Sequence, residues 1–453
     1  MEIVKQCFNF ALRLAPILTL VACATLSPST PVSLSTCADL DATWGNWPAT
    51  IDTLNDLIAS NQTCGDEPLS SKLYAAHINY GASLEQAGDN VGAASEYSAA
   101  LTLNPRRDEA LEALYRLNAL PASTASPCAP PNLAFMPTPT PVYQPGNLVN
   151  LQGNQLMWEG QPFHIRGVNY YPRYAPWDRF LAQGDINDMR TEINLIAGSG
   201  FNTIRVFLSH NEMFQCKDGR TNANADAFVK VDFLMALARD NGLKVIVTLN
   251  DLPDLYIAPL YTTDTPNDAL TAYIIKRYAA DPALLAWDIR NEPDLDYTPR
   301  TGKPTLFTQD QVIGWLGREA AIVRANDPNH LITAGWFGNP MVSEPYVDFL
   351  SFHHWTDATE LSARIDEIRA ASGKPILLEE TGYSSWTVGE QASGDSLRQV
   401  TEMAEAKGLA GWMIWAAFDF QPSPGQVETA EHHFGLWTLD LTRKPALEAL
   451  PLP

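Results

Sequence analysis

From about residue 147 to the C-terminus the chain alternates two apolar patterns. Short continuous runs recur: FHIRGVN, TIRVFLS, KVIVTLN, LLAWDIRN, HLITAGW, DFLSFHH, PILLEE and GWMIWAA. Between most of them lie longer segments with apolar residues at helical spacing, such as INDMRTEINLIAGSG, DAFVKVDFLMALARDNG, QVIGWLGREAAIVRAND, LSARIDEIRAASG and DSLRQVTEMAEAKG. A strand apolar at successive positions is buried on both faces, as in a parallel sheet covered by helices. The longer segments read as helices, several closing on a glycine just past the last turn. Eight such units predict an α/β fold, a (β/α)8 or TIM barrel, over residues 148–453. A doubly wound open sheet is the alternative, but eight well-spaced strands and no Gly-rich phosphate loop count against it. LVNLQGNQLMWEGQP, ahead of the first strand, predicts a small hairpin with a Gly-Asn turn that plugs the bottom of the barrel.

Upstream the pattern changes. Tyr74 to Pro105 resembles one tetratricopeptide repeat, with Gly81, Leu84, Gly88, Ala93, Tyr97, Ala100 and Pro105 at that repeat's spacing. Gly81, Ala93 and Ala100 are small enough to let two helices approach closely. A further helix is predicted at about Arg107 to Asn118, and others within Cys37 to Asn61. One repeat falls short of the roughly three that a solenoid needs. Residues 37–120 therefore read as a small all-α module, acting as a spacer or as a surface that docks a protein partner. Residues 121–147 are dense in proline and predict a stiff, extended linker.

The N-terminus carries Lys5 and Arg13, then an apolar run from Leu14 to Ala22. That run is too short to span a bilayer and suits a signal peptide over residues 1–22. Leu20, Val21, Ala22 and Cys23 resemble a bacterial lipobox. The resemblance implies lipid attachment at Cys23, a Ser/Thr/Pro-rich tether over 23–36, and an exported protein, membrane-anchored at the cell surface or extracellular. Export permits disulfides. Loss of Cys7 with the signal and lipidation of Cys23 leave Cys37, Cys64, Cys128 and Cys216. These allow three pairings; Cys37 with Cys64, flanking one short helical stretch, is preferred.

Composition narrows the function. Of 453 residues, 45% are hydrophobic, enough for a large core, and the formal net charge is -22. Such a surface repels phosphates, which excludes nucleic acid as a partner and favours a neutral one. No CxxC, HExxH or His/Cys cluster marks a metal site, and no cofactor is expected.

Active sites of barrels lie at the C-terminal ends of the strands. There the sequence offers Tyr171 after the first strand, Arg205 on the second, Asn250 after the third, and Asn291 with Glu292 on the fourth. His353 and Trp355 follow on the sixth, Glu379 and Glu380 on the seventh, and Trp415 on the eighth. Two carboxylates on opposed strands, with aromatic platforms, are what glycosidic bond cleavage needs: one protonated to donate to the leaving oxygen, the other ionised to attack or to activate water. Alternation along a strand lets only one of Glu379 and Glu380 face the mouth, so Glu379 is expected to pack behind it.

FNTIRVF, AWDIRNEP, SFHHW, LLEETGY, GWMIWAAFD and HHFGLWTLDLTRKPA resemble the clan A retaining glycoside hydrolases, most closely glycoside hydrolase family 5, over about residues 148–450. The resemblance implies Glu292 as acid/base and Glu380 as nucleophile. It further implies Arg205 holding the nucleophile, Asn291 on a sugar 2-hydroxyl, and His353 and Trp415 in the binding site. A β-linked polysaccharide or oligosaccharide is the implied substrate. Two positions depart from the pattern. Trp355 stands where the family has a tyrosine, so Tyr383 or Tyr171 is a candidate to supply that hydroxyl. Asn250 replaces a histidine of the cellulase-like members, which leans towards the β-mannanase-like branch. A carbohydrate-binding pseudoenzyme and a transglycosylase are the alternative readings.

Overall fold

The strand runs close into a barrel in the computed structural model, which describes residues 35–65, 68–104, 108–120, 147–217, 219–253, 255–256, 260–261, 267–300, 305–423 and 428–453. The barrel strands are β1 (Ile165–Asn169), β2 (Thr203–Phe207), β3 (Lys244–Thr248), β4 (Leu284–Asn291), β5 (Leu331–Trp336), β6 (Leu350–His353), β7 (Ile376–Thr381) and β8 (Gly411–Ile414). Each pairs in parallel with its chain neighbours, and β8 returns to β1, so the sheet has no free edge. Nearly every strand residue is buried, as continuous apolar runs require. Helices Ile186–Gly198, Gln309–Asn326 and Ala358–Ala371 begin at capping residues Asp185, Thr308 and Asp357, whose side chains accept from first-turn N–H groups. Each cap contributes roughly 1 kcal/mol.

The hairpin before β1 forms as expected, with Asn150–Gln152 antiparallel to Gln155–Trp158 and Gly153 at φ 64° in the turn. Leu156 packs with Val149, Ile246, Leu285, Phe349 and Met413 at the starts of the strands and closes the barrel's base. A second hairpin, Phe214–Lys217 with Arg220–Ala223, was not legible as strand because its residues are mostly exposed and polar.

The N-terminal module consists of α1 (Cys37–Thr43), α2 (Trp47–Ala59), α3 (Leu69–Gln86), α4 (Asn90–Leu103) and α5 (Asp108–Arg116). The close approach of α3 and α4 is explicit: a Cβ on Gly81 would meet the Tyr97 ring at 2.6 Å. Cys37 and Cys64 form the preferred disulfide, with Cα atoms 5.5 Å apart, and tie α1 to the segment after α2. Cys216 is also disulfide-bonded. The signal, Cys23, nearly all of the tether, Cys128 and nearly all of the proline-rich linker lie outside the described residues. Among the described residues no helix is long and apolar enough to cross a membrane.

Candidate active site

The strand ends converge on one buried polar cluster. Arg205, fully buried on β2, is its hub. Its Nη1 donates to Glu380 Oε1 and, at 3.1 Å, to Asn169 Oδ1. Its Nη2 donates to Asp288 Oδ2 at 2.6 Å and to Asn291 Oδ1 at 2.9 Å. Asp288 is held in turn by the Thr248 hydroxyl at 2.6 Å and the Gly335 N–H at 3.1 Å.

Glu292 stands just beyond β4 with φ 46°, in the left-handed region, and its backbone N–H donates to Gly335 O at 2.8 Å. This turn ends the strand and leaves the carboxyl partly exposed in the cleft. His353 Nδ1 lies 2.8 Å from Glu292 Oε1 and 3.5 Å from Glu380 Oε2. The ligand atoms of Glu292, His353 and Glu380 all fall within 4.8 Å of one another. Such a trio could hold a cation, but Arg205 already supplies positive charge at its edge.

Glu379 departs from expectation. Its carboxylate turns towards the interior cluster, 3.6 Å from Arg205 Nε and 3.8 Å from His353 Nε2, rather than packing behind the strand. The registers of β7 against both neighbours shift here, between Phe352 and His353 and between Leu378 and Thr381. An irregularity breaks the two-residue alternation on which the expectation rested.

Four carboxyls therefore face two cations, and they cannot all ionise in a buried site. Burial, and then the Glu379 charge, raise Asp288 to about 6. Burial lifts Glu380 to about 7 against the pull of His353 and Arg205, with Glu292 adding to the rise. Burial alone would lower His353, but the surrounding Glu380, Glu292 and Glu379 outweigh it and raise the imidazole to about 10. Glu292 is pushed up by burial, yet its bond to His353 and the positive charges nearby hold it below the ordinary glutamate value.

Trp415 ends the apolar floor. It is in edge contact with Tyr171, Phe207 and Phe420, and its Nε1 donates to Glu431 Oε1 at 3.1 Å. Tyr171 is stacked on Phe207 beneath it, and its hydroxyl is committed to Asp251. The Tyr383 hydroxyl donates to Thr356 O. Neither tyrosine therefore replaces the hydroxyl missing at Trp355. Trp355 itself lies half-buried against Phe434 and borders, with His353, a separate hollow near Phe337 and Arg364. Asn250, at φ 52°, donates to Ile289 O at 3.4 Å, and its Oδ1 has no hydrogen-bond partner among the described residues.

The profile described as Cellulase (glycosyl hydrolase family 5) matches residues 156–420, more than half of the chain. The chain belongs to glycosyl hydrolase family 5. It is a glycoside hydrolase, and its closed parallel barrel is the fold of that family. Similar proteins include mannan endo-1,4-beta-mannosidase A of Podospora anserina, 26% identical over 332 residues, covering 61% of this chain and 83% of that protein. Mannan endo-1,4-beta-mannosidase 1 of Oryza sativa subsp. japonica is 24% identical over 55% of this chain and 71% of its own. Among solved structures, GH5_18 from Streptomyces cattleya in complex with GlcNAc aligns with a TM-score of 0.55 at 19% identity, over 63% of this chain and 79% of that one. The exo-beta-1,4-mannosidase Op5Man5 from Opitutaceae bacterium strain TAV5 aligns at 0.52 and 20% identity, over 64% and 58%.

Arg205, Asn291, Glu292, His353 and Glu380 are thus brought together in one cluster, with Trp415 on the floor beside Tyr171. Sequence reasoning missed Asp288, Gly335 and Glu431. Asp288 carried a signal: it is an acidic residue in a strand otherwise apolar up to that point. Glu431 carried none, since it reaches Trp415 from a single 3-10 turn, Ala430–His433, sixteen positions further on.

Proposed function

We propose that this family 5 enzyme hydrolyses β-linked mannan-type oligosaccharides or polysaccharides with retention of configuration. The observation that carries the reading is the Glu292–Glu380 pair, with carboxylate oxygens within 4.8 Å across the cleft. That spacing suits direct attack; an inverting pair stands about 6.5–9.5 Å apart to admit a water. Arg205 orients the Glu380 oxygen and stabilises its charge. Glu292 protonates the glycosidic oxygen as its bond to the anomeric carbon breaks and Glu380 attacks that carbon. Glu292 then takes a proton from water, which attacks the same carbon and frees Glu380. The proton Glu292 needs resides on His353, 2.8 Å away, and passes to Glu292 as substrate displaces water from the cleft.

Mannan as the substrate class is supported by the similarity to mannan endo-1,4-beta-mannosidases and by Asn250 in place of the cellulase-like histidine. Asn291 Nδ2 stays available for the sugar 2-hydroxyl, because Arg205 occupies its Oδ1. Export, with a lipid on Cys23 anchoring the enzyme at the cell surface, follows from the N-terminal sequence. The test is a panel of mannans, β-glucans and aryl glycosides, with anomers followed by NMR. Release of the β-anomer first from a β-mannan supports the proposal. The α-anomer first, or activity confined to β-glucans, refutes it.

A further inference from the structure

Helix α5 has two working faces. Ala110, Ala113 and Leu114 are buried in the module. Glu112 and Tyr115 are three residues apart and so share another side. Tyr115 is 39% exposed, and its ring meets that of Tyr256, in the loop after β3, edge-on with centroids 6.0 Å apart. Glu112 lines a cavity of about 230 Å³ whose other walls include Leu252, Arg290, Asn291, Glu292 and Arg300. That volume is small beside the ~300–1,000 Å³ of typical ligand sites, the scale of a short carbohydrate unit rather than a polymer.

The cavity reaches Glu292 but is not lined by Glu380 or Trp415. If Glu292 is the acid and Glu380 the nucleophile, the group beside the first and away from the second is the leaving group. The walls mix acceptors (Glu112, Asp251, Asp296) with donors (Arg290, Arg300, Asn291). Arg290 is already paired with Asp296 at 2.8 Å. A balanced set of this kind suits a neutral polyol, which offers hydroxyls to both, and not an anion.

We infer that helix α5 completes the leaving-group side of the cleft. Glu112 accepts from hydroxyls of the departing sugar, and Tyr256, braced by the Tyr115 ring behind it, forms an aromatic edge of the cavity. The module is then part of the substrate site, and the ligand is a neutral sugar unit β-linked to the one being cleaved. The inference rests on the hydrolase reading above.

The test uses the full chain with Glu112→Ala, Glu112→Gln and Tyr115→Ala. Substrates are mannotetraose and 4-nitrophenyl β-mannobioside, whose departing phenol lacks the sugar's hydroxyls. Loss of a charge-assisted contact predicts about a tenfold fall in kcat/KM on mannotetraose, mostly in KM. The aryl substrate is unaffected by the two Glu112 variants, and Glu112→Gln recovers part of the loss. Tyr115→Cys combined with Tyr256→Cys should be joined within one chain by a short bismaleimide. Unchanged kinetics on both substrates, equal losses on both, or no crosslink overturns the subsite. Inactivity of the unsubstituted chain on every mannoside overturns the function itself, which separates the two failures.

Discussion

A single methyl group on β5 should disable the cleft. Gly335 sits where three side chains converge. A Cβ there would lie 2.5 Å from Glu379 Oε2, 2.8 Å from His353 Nε2 and 3.1 Å from Arg205 Nη2. All three side chains are fully buried, so none can swing into solvent. Overpacking of this kind costs about 1–3 kcal/mol. At about 2–4 °C per kcal/mol for a domain of this size, Gly335→Ala should lower Tm by roughly 2–12 °C. Activity should suffer more. Relieving the contacts with His353 and Arg205 moves His353 off its 2.8 Å bond to Glu292 and Arg205 off Glu380. A misplacement of about 1 Å costs on the order of 100-fold in rate. The assay is kcat on an aryl mannoside beside a calorimetric scan. Gly314→Ala is the control: nothing lies within 4 Å of its Cβ, and it sits inside a helix, where alanine stabilises by up to ~1 kcal/mol. A Gly335→Ala enzyme with unchanged kcat and Tm would refute the packing argument.

Three further outcomes follow from the site. The pH profile of kcat/KM should be bell-shaped and displaced to high pH. Its acid limb lies near 7, since protonation of Glu380 removes the nucleophile, and its basic limb lies near 10, where His353 loses the proton destined for Glu292; an acid limb at the ordinary glutamate value contradicts the charge balance described. Glu292→Gln should lose about 10²–10⁴-fold on mannan, yet with a dinitrophenyl mannoside it should give a burst of phenol and then stall; loss of the burst would show that Glu292 is not the acid/base. Cys64→Ser opens a loop of 27 residues, which should destabilise the module by about 3–4 kcal/mol; chemical denaturation should show an earlier first transition, while hydrolysis of the aryl mannobioside stays intact.

The barrel was legible because its strands are largely apolar at successive positions, as a parallel sheet covered by helices requires, and because eight of them recur along the chain. The strand-end residues were legible because a barrel places them at one mouth. What escaped was what breaks a simple period or spans the chain. The shifted register of β7 brought Glu379 into the cluster. The hydroxyl of Tyr171 found Asp251, eighty positions away. Asp288 could have been suspected, because a buried parallel strand tolerates a charge only when a partner such as Arg205 neutralises it. The exposed hairpin at Phe214–Ala223 gave no apolar signal.

The sealed base separates two kinds of change. Val149 and Leu156 close the barrel from below together with strand-start residues such as Leu285 and Phe349, none of which borders the cleft. Substitutions there should alter yield and heat resistance for every substrate alike. The loops after β1, β3 and β4 can then diversify, or be exchanged by an engineer seeking a new glycan, against a foundation that does not register the difference.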